Sequence, residues 1–281
     1  MNIRNFQIFK VLLLLLLLVT VASAQKPKTT FTASGYYTSG SYSTNNSSES
    51  FSFYGIVDIK RLDRIVLGYD NLTIDIPDSN WIYEQNFFVV SGMKNLYPFY
   101  LKFDYAYATG QYAEKYRGRY FYGSITDGTH IIHASLLYNI NLFFLGLGGT
   151  YSIGTGYYDL NTTYFEGKIS WHPSIYFNVT LMPAYTTTDD DRSSFSFGAE
   201  LFYSPAAFVN FSLRGFIGDR VTYYNSDYQT LYNQIDTQTS AYSITMRLLA
   251  DKPFNIIGIY QSRDFTNYTI NYFTVGIKYR F

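Results

Sequence analysis

Histidine and serine side chains offer the most direct route to hydrolytic chemistry, and the chain has only three histidines. His130 and His133 are three residues apart, so on a β-strand they point to opposite faces and are badly placed to share a metal ion. His133 and Ser135 share a face, but a serine hydrolase needs a third group that orients the histidine. The sequence offers no such group, and His172 lies in a turn. We therefore predict that the chain is not an enzyme.

A run of three acids, Asp189–Asp191, is the other cluster with chemical potential. Ca²⁺ prefers oxygen ligands, but the spacing around these residues does not match an EF-hand loop. Runs of like charge are usually solvated, so we predict an exposed acidic loop. The absence of cysteine excludes thiolate metal sites and disulfide scaffolds. We expect neither a metal nor another cofactor.

The composition combines many aromatic residues with few charges. Aromatic residues make up 20% of the 281 residues and charged residues 15%, with 21 basic against 21 acidic side chains. Disordered chains show the opposite balance, and a nucleic-acid partner would require a basic excess. The mean hydropathy of -0.08 excludes a bundle of membrane helices. A high fraction of aromatic residues with few charged residues is typical of a chain that meets lipid on one side and water on the other.

The first 24 residues have the pattern of a secretory signal peptide. Arg4 and Lys10 precede the apolar run Val11–Val19, and Ala22-Ser23-Ala24 forms a cleavage site of the A-x-A type. The run is shorter than the roughly 20 residues that a membrane-spanning helix needs. We therefore predict a signal peptide over 1–24 and a single mature domain over 25–281. Export without cysteine suits a protein of the bacterial envelope.

Apolar and polar residues alternate with a period of two along the mature chain. Clear examples are 51–59, 99–107, 175–185 and 242–248, in which one face is apolar and the other is mostly polar. A soluble β-sandwich shows the same alternation. Segments of about ten residues, small polar side chains on the second face and aromatic residues near the segment ends favour membrane-spanning strands.

Short and long connectors alternate along the chain, as they do in outer-membrane barrels. The short connectors are 60–63, 94–97, 139–141, 172–174, 204–206 and 250–253, and the long ones are 43–49, 72–81, 111–126, 155–161, 187–193, 219–237 and 262–267. They predict an all-β fold, a transmembrane antiparallel up-and-down β-barrel of about 14 strands with both chain ends in the periplasm. A further hairpin within 111–128 would change the count, which leaves 12 or 16 strands open. We interpret that region as a strand that extends beyond the membrane.

In the last ten residues, aromatic and aliphatic side chains occupy every second position, namely Phe273, Val275, Ile277, Tyr279 and Phe281. This pattern resembles the C-terminal assembly signal of Gram-negative outer-membrane β-barrel proteins. The resemblance is to the class as a whole and implies a location in the bacterial outer membrane. It also implies that membrane lipid and the barrel-assembly machinery are partners of the chain. Phe281 is equally explained as the last lipid-facing residue of the closing strand.

The polar faces of the predicted strands carry twelve charged residues, which we expect to line the lumen. They are Lys60, Arg64, Lys102, Asp104, Glu166, Lys168, Glu200, Arg214, Arg247 and Lys278, with Asp58 and Arg280. Eight are basic and four are acidic, and several of the basic residues lie near the short turns. A basic ring at the periplasmic mouth would favour anions. Alternatively, the charges pair across the wall and only solvate it.

Three functions are compatible with such a barrel. The first is a narrow porin-like channel for small solutes with a modest preference for anions, which the lumen charges favour. The alternative is a structural or surface-interaction barrel that acts through its outside loops, above all 219–237. A lumenal hydrolase built on His133 is the remote alternative. Loop 219–237 or inward-facing side chains could also plug the bore.

Overall fold

The computed structural model describes residues 29–59, 63–116, 119–156, 159–221, 223–232 and 236–281. The predicted signal peptide lies outside these ranges and stays a prediction. The strands are β1 Thr30–Tyr42, β2 Ser47–Ile59, β3 Asp63–Ile76, β4 Trp81–Leu96, β5 Phe99–Tyr116, β6 Arg119–Ile140, β7 Phe143–Gly156, β8 Thr162–Ser174, β9 Phe177–Thr188, β10 Ser193–Ala206, β11 Val209–Arg220, β12 Tyr223–Asn225, β13 Thr230–Tyr232, β14 Gln238–Leu248, β15 Phe254–Phe265 and β16 Thr269–Arg280. Among the described residues, no helix is both long and apolar enough to cross a membrane.

Fourteen of these strands form one closed antiparallel barrel, which confirms the predicted fold class and strand number. Each barrel strand pairs with the barrel strands before and after it in sequence. Closure is made by β1 and β16, which pair from Thr32 opposite Arg280 to Tyr42 opposite Ile270. Because the sheet closes, the barrel leaves no exposed strand edge, and its backbone groups are satisfied within the wall.

The period-two alternation separates the two faces of the wall. On β5, Phe103 is 55% exposed on the outside while its neighbour Asp104 is 1% exposed on the inside. The same alternation places Phe51 and Phe53 outside and Ser50 and Ser52 inside. Most of the large exposed apolar residues lie on the outer face, as expected of a surface that meets lipid.

The segment 111–128 belongs to one long hairpin and adds no strand to the barrel. β5 has 18 residues and β6 has 22, and their pairing continues as far as Tyr116 opposite Arg119. The region therefore contains no further hairpin of the barrel, and the alternatives of 12 and 16 strands are wrong. That these strands extend beyond the membrane stays a prediction.

Two of the short turns fall about three residues later than predicted. The turns expected at 172–174 and 204–206 lie at 175–176 and 207–208, and Pro173 and Pro205 are inside strands. In both places the strand register shifts at the proline, between Trp171 and Ser174 and between Tyr203 and Ala206. Proline cannot donate to the ladder, so it is accommodated at a bulge and does not end the strand.

Candidate functional site

The loop that follows β11 folds back into the barrel. Gly218 has a φ of +97°, and the β11–β14 register shifts between Ile217 and Arg220. A β-bulge of this kind redirects the chain, and glycine supplies the left-handed backbone. β12 and β13 then pair with each other through Tyr223 opposite Tyr232. We call residues 223–232 the lumen hairpin.

Aromatic side chains pack the lumen hairpin against the barrel wall. The Tyr224 ring lies 6.5 Å from Phe87 and 6.1 Å from the His133 ring, and Tyr223 lies 5.8 Å from Tyr164. Tyr223 and Tyr224 are both buried. The wall beneath them is made of the small or apolar side chains of β4, β5 and β6. The hairpin is therefore a packed part of the lumen.

Ion pairs and hydrogen bonds fix the tip of the lumen hairpin. Lys168 Nζ lies 2.8 Å from each oxygen of Asp227, and Arg214 lies 3.9 Å from the same carboxylate. Lys102 donates to the Ser226 carbonyl oxygen. Burial raises the pKa of Asp227, but the neighbouring cations Lys168 and Arg214 outweigh burial and hold that pKa below its usual value. Asp227 is therefore an ionised carboxylate that lies between two cations of the wall and holds the hairpin tip in place.

Other polar contacts surround this anchor. The Tyr224 hydroxyl donates to Asp104 at 3.2 Å, and Lys102 lies 3.3 Å from the same carboxylate. Arg214 stacks over the Tyr228 ring at 5.1 Å, and Tyr228 reaches Glu200 at 3.5 Å. The predicted wall charges on β5, β8, β10 and β11 thus contact the hairpin or pair with one another.

A second part of the lumen is open. A cavity of about 460 Å³ lies between β1–β4, β14–β16 and the tip of the lumen hairpin. Serine and threonine side chains cover much of this wall, including Ser34, Ser52, Ser243 and Thr245. Asp70 also lines it, where Ser50 donates to it at 2.9 Å and Ser52 donates as well. We call this space the open cavity.

Three basic residues form a cluster beside the open cavity, and we call Arg64, Arg247 and Lys278 the basic cluster. Arg64 is paired with Asp58 at 2.6 Å. Lys278 experiences the like charges of Arg247, Arg64 and Arg280 and the opposite charge of Asp58. Within the part of the chain that the structure describes, Arg247 and Lys278 have no ion-pair partner, and Arg247 Nε is buried without a hydrogen-bond acceptor.

Tyrosine rings lie against the wall of the open cavity, each over a glycine on a paired strand. A Cβ on Gly276 would come within 2.2 Å of the Tyr36 ring, and one on Gly68 within 2.6 Å of the Tyr54 ring. Both tyrosines are directly opposite their glycines in the sheet register. Glycine at these positions therefore lets the rings lie on the wall.

The predicted lumen residues divide into two groups. Lys102, Asp104, Glu166, Lys168, Glu200 and Arg214 lie around the lumen hairpin, whereas Arg64, Arg247 and Lys278 line the open cavity. Lys60 lies outside the described residues, and Asp58 belongs to the ion pair with Arg64. Whether any of them governs ion passage stays a prediction.

Several lumen residues were missed by the sequence reasoning. Arg263 lines the open cavity and stacks over the Tyr272 ring at 5.6 Å. Arg220 donates to Ser196 at 2.8 Å and stacks on Phe216 at 3.8 Å. Asp227 lies in a loop, where a strand register says nothing about its direction. For Arg263, continuing the polar register of β15 from Gln261 would have placed it inside.

The residues first considered for chemistry are not assembled into a site. His133 is buried, and its Nδ1 lies 2.8 Å from Thr150 Oγ1. His130 faces outward against the Tyr107 ring. In the acidic loop Arg192 pairs with Asp190 at 2.7 Å, and the hydrogen bond from Arg192 lowers the pKa of Asp190 to about 2. No group of three or more metal-binding side chains occurs among the described residues.

Comparison with solved structures gives the fold a wider setting. The monoaromatic hydrocarbon channel CymD is 8% identical to this chain and superposes with a TM-score of 0.57. The match covers 91% of this chain and 88% of CymD. The chain has the fold of a Gram-negative outer-membrane β-barrel. The translocator domain of the autotransporter NalP from Neisseria meningitidis (10% identity, 98% and 97% of the two chains, TM-score 0.46) and OccK7 of Pseudomonas aeruginosa (9%, 90% and 98%, 0.44) are also similar.

At these identities the likeness is one of fold. No protein-family model matches the chain, and no curated protein matches its sequence. In outer-membrane barrels the short turns face the periplasm and the longer loops face outward. The lumen hairpin enters this barrel from the end that carries the predicted long connectors. The resemblance inferred from the closing strand is confirmed at the level of the class.

Proposed function

We propose that this barrel is a narrow, porin-like channel of the outer membrane that passes small solutes through the open cavity and prefers anions. The lumen hairpin restricts the passage to one side of the barrel. The observation that carries the proposal is the basic cluster, in which three cations face the cavity and, among the described residues, only Arg64 forms an ion pair, with Asp58. Uncompensated cations at a constriction attract anions and repel cations.

The position of the barrel in the membrane follows from the outer surface of the wall. Exposed residues such as Phe53, Leu147 and Phe273 form an apolar exterior that suits lipid. The alternating apolar face of β16 supports recognition by the barrel-assembly machinery, and the N-terminal pattern supports export through a cleaved signal peptide. CymD, whose fold this barrel shares, is itself a channel.

The lumen hairpin weakens the alternative of a surface-interaction barrel. Tyr223 and Tyr224, which an outside loop would use to bind a partner, are buried against the wall. Asp227 is tied to Lys168 and Arg214. The longest loop therefore lies inside the lumen, where it narrows the proposed channel.

Reversal potentials in a salt gradient across planar bilayers test the proposal. We expect the wild-type channel to be anion-selective and the double variant Arg247→Gln/Lys278→Gln to lose most of that selectivity, because both uncompensated charges are removed. Arg192→Gln in the outside acidic loop is the matched control, because Arg192 is already paired with Asp190. Lys102 is unsuited to this test, since it holds the hairpin.

Two results would contradict the proposal. A purified, folded barrel that gives no conductance would show that the open cavity is not a passage. Conductance with the same selectivity in the wild type and the double variant would show that the basic cluster does not govern ion passage.

A further inference from the structure

The open cavity combines three kinds of side chain along one stretch of wall. Tyrosine rings lie on β1, β2 and β16, hydroxyl groups surround them, and cations lie at both ends of the stretch. Tyrosine rings suit the rings of a ligand, hydroxyl side chains suit its hydroxyl groups, and cations suit its negative charges. The order of these side chains along the barrel axis therefore indicates which class of solute fits.

Tyrosine rings supply aromatic contacts along this wall. Tyr36 and Tyr54 lie 6.0 Å apart with their ring planes at 74°, edge against face, and each is docked over its glycine, Gly276 or Gly68. Tyr272 lies similarly over Gly40, where a Cβ would come within 2.8 Å of its ring. The negative face of an aromatic ring attracts the weakly positive C–H face of a sugar or the edge of another ring.

Cations occur at both ends of this stretch of wall. Arg263 lies over the Tyr272 ring, and Lys278 lies six residues further along β16, next to Arg247 in the basic cluster. Six residues of a strand span about 20 Å at 3.3 Å per residue. That length exceeds a single aromatic acid and matches a short linear chain of sugar units.

The wall between the cations favours a ligand with many hydroxyl groups. Thr38 and Thr274 share a hydrogen bond of 2.8 Å, and Ser243 and Thr245 also face the cavity. Hydroxyl side chains both donate and accept, so they match hydroxyl groups in either direction. An aromatic hydrocarbon would exclude water from these hydroxyl groups without offering any new hydrogen bond, which carries a desolvation cost.

We infer that the open cavity is a binding track for anionic oligosaccharides, whose carboxylates pair with the basic cluster and Arg263 while their rings stack on the tyrosines. The inference rests on the proposed channel function and names its solute. Tyr36 links the tyrosines to the basic cluster, because its ring packs over Gly276 and is close enough to Arg247 to feel its charge.

Binding to the whole mature barrel in detergent, measured by isothermal titration calorimetry, tests the inference directly. The probes are a linear uronic-acid trisaccharide, its neutral counterpart maltotriose, and benzoate. We expect the uronate trisaccharide to bind at least about tenfold more tightly than the other two, since it engages both charged ends and the tyrosines. The same trisaccharide should block current through the channel.

Variants separate the contributions to binding. Arg247→Gln should weaken uronate binding about tenfold and leave the weaker maltotriose binding unchanged, because only a charge-assisted contact is lost. Tyr36→Leu should weaken the binding of both sugars, and its circular dichroism spectrum reports whether the barrel is intact. Arg192→Gln, outside the lumen, should change neither affinity.

Each further outcome decides between the possibilities. Equal affinity for maltotriose and the uronate, or tighter binding of benzoate, would overturn the inference. Anion-selective conductance without uronate binding would overturn it while leaving the channel function intact. Uronate binding without conductance would support the track and contradict the channel.

Discussion

At the scale of single residues, glycines of the barrel wall leave room for a tyrosine ring on the paired strand. Gly68 and Gly276 lie directly opposite Tyr54 and Tyr36, and a Cβ at either glycine would overlap the ring. Each tyrosine therefore occupies the space above its glycine, next to the open cavity. A period-two pattern shows which face these residues occupy, but the pairing of a given tyrosine with a given glycine depends on strand register.

Gly68→Ala should destabilise the barrel, because the new Cβ would come within 2.6 Å of both the Tyr54 ring and Val89 Cγ1. Overpacking of this kind costs about 1–3 kcal/mol. Gly92→Ala is the matched control, since a Cβ there meets nothing within 4 Å. The midpoint of urea unfolding in detergent, followed by circular dichroism, should fall for the first variant only. Equal midpoints would contradict the docking of Tyr54.

At the scale of elements, the lumen hairpin is held by one strong point and several weaker ones. Asp227 lies between Lys168 and Arg214, while Tyr224 and Tyr228 hydrogen-bond to wall carboxylates. The Lys168 and Arg214 side chains are only 17% and 16% exposed, so loss of the Asp227 carboxylate would leave two largely buried positive charges without the anion that they share. The hairpin position therefore depends chiefly on the Asp227 carboxylate.

Asp227→Asn should release the hairpin tip and raise single-channel conductance at least about twofold, because the hairpin fills a large part of the lumen. Asp189→Asn, in an exposed loop, is the matched control. An unchanged conductance in Asp227→Asn would show that the tip is held by other contacts.

Acidification should not imitate that variant. Lys168 and Arg214 hold the pKa of Asp227 below its usual value, so the ion pair is fully present above the ordinary aspartate pKa of about 3.9 and is lost only as the pH falls through the lower folded value. The conductance of the wild type should therefore be the same at about pH 5 and about pH 7. A rise in conductance over that interval would contradict the charge state assigned to Asp227.

The lumen hairpin also marks the limit of inference from the sequence. The alternation over 99–107 predicted β5 and its two faces, because strand geometry ties sequence position to direction. The same rule placed Lys102 and Lys168 inside the barrel. It could not show that both cations are occupied by the hairpin, since Asp227 and Ser226 lie in a loop without a period. The excess of basic residues on the wall could thus be predicted from the sequence. Which of these residues hold the lumen hairpin and which line the open cavity could not.

At the scale of the whole molecule, closure depends on the pairing of β1 with β16. The Phe281 ring lies 5.4 Å from Phe31 and 4.7 Å from Tyr279 on the outside of this seam. On the inside, Thr274 shares a hydrogen bond with Thr38. The seam thus has an aromatic outer face and a polar inner face.

Phe281→Ala should lower the amount of barrel that reaches the outer membrane, because it removes an aromatic contact on the seam and the last residue of the proposed assembly signal. Thr274→Ala on the inner face should have a much smaller effect, since it loses one neutral hydrogen bond worth about 1 kcal/mol. Heat-modifiable migration of membrane fractions on gels measures the folded amount. Equal levels of the two variants would contradict the assigned faces of β16.

The two sides of the lumen should also accept sequence change very differently over time. Strands β5, β8, β10 and β11 carry charges that must match the lumen hairpin, so a change on the wall requires a compensating change in the loop. Strands β1–β3 and β14–β16 line the open cavity, so most of their inward residues can vary one at a time, with the exception of Tyr54, which packs against the cluster that contains Tyr224. Among descendants of this barrel, new solute preferences should therefore arise on the cavity side, while the hairpin and its opposing wall change together or not at all.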